Sequence, residues 1–513
     1  MKKTIKTRIN ELSPLQFKLF KSRLKQEGLD LETGRKKNTD DILSLLQQVE
    51  EKEYYELSSV QKRLFTISKL EGNPVTYNVP WVKVIEGTPD IIRLKKAFDE
   101  MIKRHDAFRT SFEVIDGEPK QRIYKYPDIK FNLGYCDLED QNGNGADENT
   151  AKQIFREFIR PFDLGNAPLF RAEVVVLSKD YYMIMMDMHH IVSDVGSKRL
   201  LWDEFLSLYE GKKLSALNIQ YKDFSEWQQR EEVKSWLDKQ EQYWLKTFEG
   251  NIPVLNLPHD FKRPDIVTYE GGGYAFTLDE RETALLKEMA SKGNTTLYVV
   301  VLALYNVFLG RVCSQEDIVV GTPVAGRRTE LLNGIIGMFV NTLALRNSPN
   351  GDKTFSDFLN EVRQSSLDAL ENQDYPFEEL VNKRVGKKRE LNRNGIFDAF
   401  YTFIYPKFRT TNSDGLKETV FFKFESGSEE ESLSMFDLFL FGVELESRVS
   451  LRLTYSKKLF KLDTIERMVG YFKEIVAGIT ENPDARIRDI RLAHDLGAAV
   501  AKGLDEEDED FGF

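Results

Sequence analysis

The 513-residue sequence is poor in the residue types that build stapled or metal-bound folds, with two cysteines and five histidines in all. Cys136 and Cys313 lie far apart and lack CxxC-like spacing, which speaks against a disulfide framework or a thiolate metal site and fits a reducing cytoplasm. No apolar run approaches the ~18 residues that a membrane-spanning helix requires. The opening MKKTIKTRINELSPLQF alternates charge with apolar residues and has no secretory stretch, so the expectation is a cytoplasmic protein with no membrane partner. A basic field is missing as well. The formal net charge is −11, opposite in sign to what nucleic-acid binding needs. More than half of that charge sits in DEEDED, residues 505–510.

What is present is a 41% hydrophobic and 30% charged composition, that of a globular protein long enough for two cores. In the first fifty residues, Ser13 and Pro14 open a candidate helix with Phe17, Phe20 and Leu24 on one face and Gly28 as its stop. A second short helix is expected at DDILSLLQQVEE. This appendage reads as a linker packed on its neighbour or as a docking element for an upstream protein. From Ser58 to about Arg491 helical and strand-like segments alternate without a repeat, which predicts a mixed α/β fold. RAEVVVL (171–177) and YYMIMMDM (181–188) predict two strands joined by a tight turn. IIRLKKAFDEMIKRH, SKRLLWDEFLSLYE and ERETALLKEMASKG predict amphipathic helices. TTLYVVVLALYNVFLGRV lacks a polar face and predicts a helix buried all round. After Ile490 the chain changes character and reaches an acidic run followed by Phe511, Gly512 and Phe513. Such a run reads as a solvated tail or as a linear motif for a basic, grooved partner.

Two of the five histidines, His189 and His190, stand side by side where the second of those strands ends, just before a helix expected to begin near Ser197. Period-two alternation sends them to opposite faces, leaving one structural and one available to a cleft. An imidazole near neutral pKa takes a proton from an attacking amine or holds that amine in place. Taken alone, the pair reads more readily as two buried, hydrogen-bonded histidines, with Asp194 as an ion-pair partner.

The motifs along the chain extend this. HHIVSDV (189–195) resembles the HHxxxDG signature of condensation domains of nonribosomal peptide synthesis. LSSVQKRLF (57–65) resembles SxAQxRLW through Ser58, Gln61, Arg63 and Leu64, and RHDAFRTSF (104–112) resembles RHExLRTxF. YKDFSEW (221–227) resembles YxDYAVW, and GMFVNT (337–342) reproduces GxFVNT. NQDYPFEEL (372–380) resembles HQDYPFEEL with Asn372 in place of histidine, and RELNRNGIF (389–397) resembles RDxSRNPLF with Gly395 in place of proline. Their order is the family's order.

The resemblance implies an α/β fold of two chloramphenicol-acetyltransferase-like lobes, a V-shaped pseudodimer with an active-site tunnel between them. The implied segments are a helical linker or docking segment at 1–54, a first lobe at 55–225, a second lobe at 226–495 and an acidic tail at 496–513. The implied activity is amide-bond formation, an amine on one carrier protein attacking an acyl or peptidyl thioester on another. The alternatives are a degenerate domain that recruits carriers or tailoring enzymes, and an acyltransferase to a free amine or alcohol. The chain itself is expected to bind no cofactor and no metal, its substrates arriving on the 4'-phosphopantetheine arms of donor and acceptor carriers. It is expected to be a monomer whose terminal segments meet an upstream or downstream synthetase. By the same resemblance His190 is the catalytic position. His189, Asp194, Arg327, Gly196, Ser197, Asn341 and Arg63 are its supports, with Asp194 paired to Arg327. Val195 stands where the family has glycine, so either the backbone there has a negative φ or the site is altered.

Overall fold

The structure is a computed structural model that describes residues 42–490, apart from 73–74, 140–145, 267, 387–391, 406–415, 417, 420–428 and 446. The helix expected at 13–28 and the acidic run therefore lie outside the described residues.

The strand pair singled out in the sequence forms the spine of the first lobe. Phe170–Ser178 and Tyr181–Met188 are antiparallel neighbours in a five-stranded sheet. Its order runs Glu418–Thr419, Trp81–Glu86, Tyr181–Met188, Phe170–Ser178, Gly134–Asp137. Alternation along Tyr181–Met188 sends Tyr182, Ile184, Met186 and Met188 into the main core, and Met183 and Met185 into a smaller cluster with Val84, Val175 and Phe158. Both faces are covered, which is why this strand has almost no polar residue. Helices Ile91–Arg104 and Val195–Tyr209 close the main face, with Phe98 and Phe205 ring centroids 4.6 Å apart. A smaller three-stranded sheet is built from Tyr54–Glu56, Glu118–Ile123 and Thr110–Ile115.

The second lobe holds a seven-stranded sheet. Its order runs Asn341–Asn347, Ile318–Val324, Ala399–Ile404, Leu438–Leu445, Arg448–Ser456, Glu270–Leu278, Glu429–Leu433. Helix Leu297–Cys313 is buried on nearly every side, as its unbroken apolar sequence requires. Helices Phe355–Glu371 and Leu462–Glu481 complete the core around it. Among the described residues no single helix is long and apolar enough to cross a membrane.

Several expected boundaries move. The segment DDILSLLQQVEE is helical only at Ile42–Leu43 among its described residues. Beyond that turn the Val49 amide donates to the Asp223 carboxylate (2.8 Å) and Leu46 enters the first core, so tertiary contacts replace the helical ladder. The limit at 54/55 cuts strand Tyr54–Glu56, and the limit at 225/226 cuts helix Tyr221–Gln228. The two cores meet along helix Glu231–Thr247. Its Val233 and Trp236 pack in the first core, Trp244 packs in the second, and Leu237 touches both. The second half of the chain also reaches back across the divide twice. Strand Glu418–Thr419 extends the first lobe's sheet beside Ile85, and Leu332, Ile335, Ile336, Met338 and Phe339 pack in the first core.

The returning 332–339 segment lies hard against helix Tyr221–Gln228. A β-carbon at Gly337 would sit 1.9 Å from the Tyr221 ring, while the Tyr221 hydroxyl donates to the Met338 carbonyl. Only glycine lets the backbone come this close. Gly337→Ala is expected to cost about 1–3 kcal/mol of stability through overpacking, read as a lowered urea midpoint; an unchanged midpoint would show that the segment gives way freely.

Candidate active site between the lobes

Strand Tyr181–Met188 ends in a sharp change of backbone. His189 is still extended and bridges Asn78, whereas His190 opens the single 3-10 turn His190–Val192. The two imidazoles therefore meet different surroundings: His189 is 1% exposed and His190 is half-buried. The His189 Nδ1 accepts the Ile191 amide at 3.0 Å, so its proton sits on Nε2, which is buried with no hydrogen-bond partner among the described residues. Its ring packs edge-on to Phe162 and tilted to Tyr77. Burial, with a smaller contribution from His190, pushes its pKa down to about 3. His189 is neutral throughout the physiological range.

His190 is oriented the other way round. Its Nδ1 lies 2.7 Å from the Ser193 carbonyl, an acceptor only, so Nδ1 carries the proton and Nε2 keeps its lone pair. The turn is held from two sides. Ser193 Oγ donates to the His189 carbonyl (3.2 Å), and Gln61 Nε2 donates to the Ile191 carbonyl (3.3 Å). Gln61 belongs to helix Ser59–Glu71, whose Ser58 N-cap forms a capping box with it. The Ser58 hydroxyl also meets the Tyr221 hydroxyl at 2.8 Å. Neither Gln61 nor Tyr221 was expected as a site residue. Their place in the motifs was visible, but their long-range partners were not.

Asp194 caps the next helix, which begins at Val195 rather than near Ser197 because the carboxylate accepts the Ser197 amide at 2.6 Å. Both of its oxygens face Arg327 Nη2, at 3.0 and 3.2 Å, and Oδ2 also accepts the Phe339 amide at 3.2 Å. Arg327 spends its other Nη on the carbonyls of Leu332 and Ile335 and lies over the Phe339 ring. Ser197 Oγ donates to the Gly337 carbonyl and accepts from Arg327 and the Gly337 amide. The acceptors of Asp194 are thus shared between the start of its own helix and the second half of the chain.

Val195 is the first residue of that helix and is absent from the positive-φ residues of the described chain; its side chain is 71% exposed. The tight approach belongs to Gly196, where a β-carbon would stand 3.2 Å from the Arg327 Nε. Of the two possibilities raised by valine at this position, the negative φ is the one observed. Asn341 has its partners in the second lobe. Its amide donates to the carbonyls of Gln373 and Tyr375 at 2.8 Å each and accepts the Phe377 amide, tying down the QDYPF turn. Asn372 caps helix Phe355–Glu371, bonding the Asp368 carbonyl, while its own carbonyl accepts the Trp244 indole. Arg63 pairs across the divide with Glu378 at 2.8 Å and lines an interlobe cavity with Tyr77, Asn394 and Met435.

His190 stands four residues before Asp194, whose pairing with Arg327 ties the two α/β lobes together. The family model of the condensation domain matches residues 51–500, and the chain belongs to the condensation-domain family. It is 41% identical over 451 residues to bacitracin synthase 3 of Bacillus licheniformis and 42% identical over 447 residues to tyrocidine synthase 3 of Brevibacillus parabrevis. These alignments cover 88% and 87% of this chain but 7% of each synthase, so the chain spans a small fraction of the length of these relatives. Among solved structures, the X-domain from teicoplanin biosynthesis superposes with a TM-score of 0.75 at 22% identity, over 87% of this chain and 99% of that one. The condensation domain of monacolin K polyketide synthase gives 0.72 at 18%, over 86% and 100%. These likenesses show the fold, two chloramphenicol-acetyltransferase-like lobes in a pseudodimer.

Two measurements follow from this geometry. Arg327→Met leaves Asp194 buried and unpaired, and is expected to cost about 3–5 kcal/mol in denaturant unfolding, with Asp194→Asn/Arg327→Met recovering part of the loss; equal losses in both variants would remove the pair from the stability argument. The His189 pKa is depressed from an unfolded value near ~6.5, so its stabilising share is complete above that pH and is lost as pH falls toward 3, by up to about 1.4 kcal/mol per unit. The urea midpoint of the unaltered protein is expected to fall more steeply between pH 7.5 and 5 than that of His189→Gln, and parallel slopes would refute the assignment.

Proposed function

We propose that the domain forms amide bonds between two carrier-bound substrates, with His190 as the group that handles the amine. The observation that carries this reading is the Nδ1 contact of His190 with the Ser193 carbonyl, which leaves Nε2 as an acceptor on a half-buried ring. In the reaction the amine nitrogen attacks the thioester carbonyl carbon and the C–S bond breaks. The released thiolate takes up the proton that the amine gives to Nε2. No nucleotide is required, because the thioester is the activated species. His189 cannot share the task, since its free nitrogen is the protonated one and is buried. Asp194 is a positioning residue rather than a base, because Arg327, Ser197 and Phe339 occupy its oxygens. Gln61, Ser193 and Ser197 act likewise, by fixing the turn that presents His190. The 4'-phosphopantetheine arms of a donor and an acceptor carrier would bring the two substrates to the divide between the lobes.

The unstrained backbone at Val195 supports a competent rather than a degenerate site. In a single-turnover assay with loaded donor and acceptor carriers, His190→Ala is expected to lose about 10²–10⁴ of the rate with the fold intact by circular dichroism. Val195→Gly is expected to leave the rate within about twofold, since no strain is released. Turnover by His190→Ala equal to that of the unaltered domain overturns the proposal. Product formed with soluble amines but not with an acceptor carrier would replace it by acylation of a free amine.

A further inference from the structure

We infer that the acidic, aromatic segment 505–513 of this chain, DEEDEDFGF, docks in a basic groove on the outer side of the first lobe. The open groove runs between helix Ile91–Arg104 and the 211–220 loop that follows helix Val195–Tyr209, with a volume of about 740 Å³. Lys96, Lys103 and Lys213 line its rim. All three are exposed, and none pairs with a carboxylate among the described residues; Lys103 rests over the Tyr126 ring. Glu100 is the single acid lining the groove. The other cations there are already engaged, Arg104 with Glu204, Lys212 with Glu210, and Arg93 with the Tyr209 carbonyl. The floor is aliphatic, made of Leu208, Leu214 and Leu217, each half-buried.

A rim of unpaired ammonium groups over an aliphatic floor selects a ligand with carboxylates beside apolar side chains. Residues 505–513 have that composition, six acids followed by Phe511 and Phe513. The carboxylates meet the lysine rim, and the two phenyl rings cover the leucines. The fourteen residues between Ile490 and Asp505 reach at most about 45 Å, which sets the range over which an intramolecular encounter would operate. Surface pairing of this kind weakens as salt screens it. Occupancy of the groove therefore depends on ionic strength.

Carbodiimide cross-linking of the full chain, with peptide mass mapping on a mixture of isotope-labelled and unlabelled protein, tests this. At low salt, carboxylates of 505–510 are expected to join Lys96, Lys103 or Lys213 about fivefold more than exposed lysines elsewhere such as Lys95 and Lys292, and within one isotope, with the preference lost at high salt. Phe511→Ser/Phe513→Ser, which keeps all six acids, is expected to lower that yield severalfold. Links scattered over exposed lysines without preference, or an aromatic variant that cross-links as well as the unaltered chain, would overturn the assignment. Links joining different isotopes would place the segment on a second copy and overturn the intramolecular reading.

Discussion

The contact on which the site depends is the buried pair of Asp194 and Arg327, which joins the end of the histidine motif to a segment 133 residues further along. A buried ion pair is stable only when its remaining hydrogen-bond positions are filled. Here they are. Asp194 takes the helix-capping amide and the Phe339 amide, and Arg327 takes two carbonyls and the Ser197 hydroxyl. The pair therefore positions the start of helix Val195–Tyr209, the 332–339 segment and, through the intervening Ser193, the His190 turn as one unit. Gly196 and Gly337 leave the room this needs, one against Arg327 and the other against Tyr221.

The two histidines show how one backbone change separates two roles. Extended at 189 and turned at 190, the chain buries the first ring against Phe162 and Tyr77 and leaves the second half-buried. Each Nδ1 has a local partner of opposite character, an amide for His189 and a carbonyl for His190. The tautomers are consequently opposite, and adjacent residues of one type have different chemistry. The buried Asp187 belongs to the same neighbourhood. It accepts from Asn78 at 2.7 Å, and burial raises its pKa to about 6.

The departures from the family motifs also have local accounts. Val195 at a helix start needs no positive φ, and Asn372 serves as a helix cap whose amide reaches a carbonyl one turn back. Neither substitution places a side chain in conflict with the Asp194 network. At Val195 and Asn372 this condensation domain thus departs from the family motifs with ordinary backbone geometry.

Patterning alone predicted the strand pair 170–188, the amphipathic helices and the fully buried helix Leu297–Cys313, because each depends on the local alternation of apolar residues. The motifs identified the family and pointed to His190 as the candidate histidine, and the pairing of Asp194 with Arg327 that they implied is present in the structure. Only the tertiary structure decided that 332–339 enters the first core, that Asn341 serves the QDYPF turn, that Gln61 reaches Ile191, and that the helix after the histidines starts at Val195. Apart from the helix start, which the Asp194 cap sets locally, these are contacts between residues 30 to 140 positions apart. Periodicity carries no record of such pairings, and the partner that takes each donor or acceptor is settled when the two cores close.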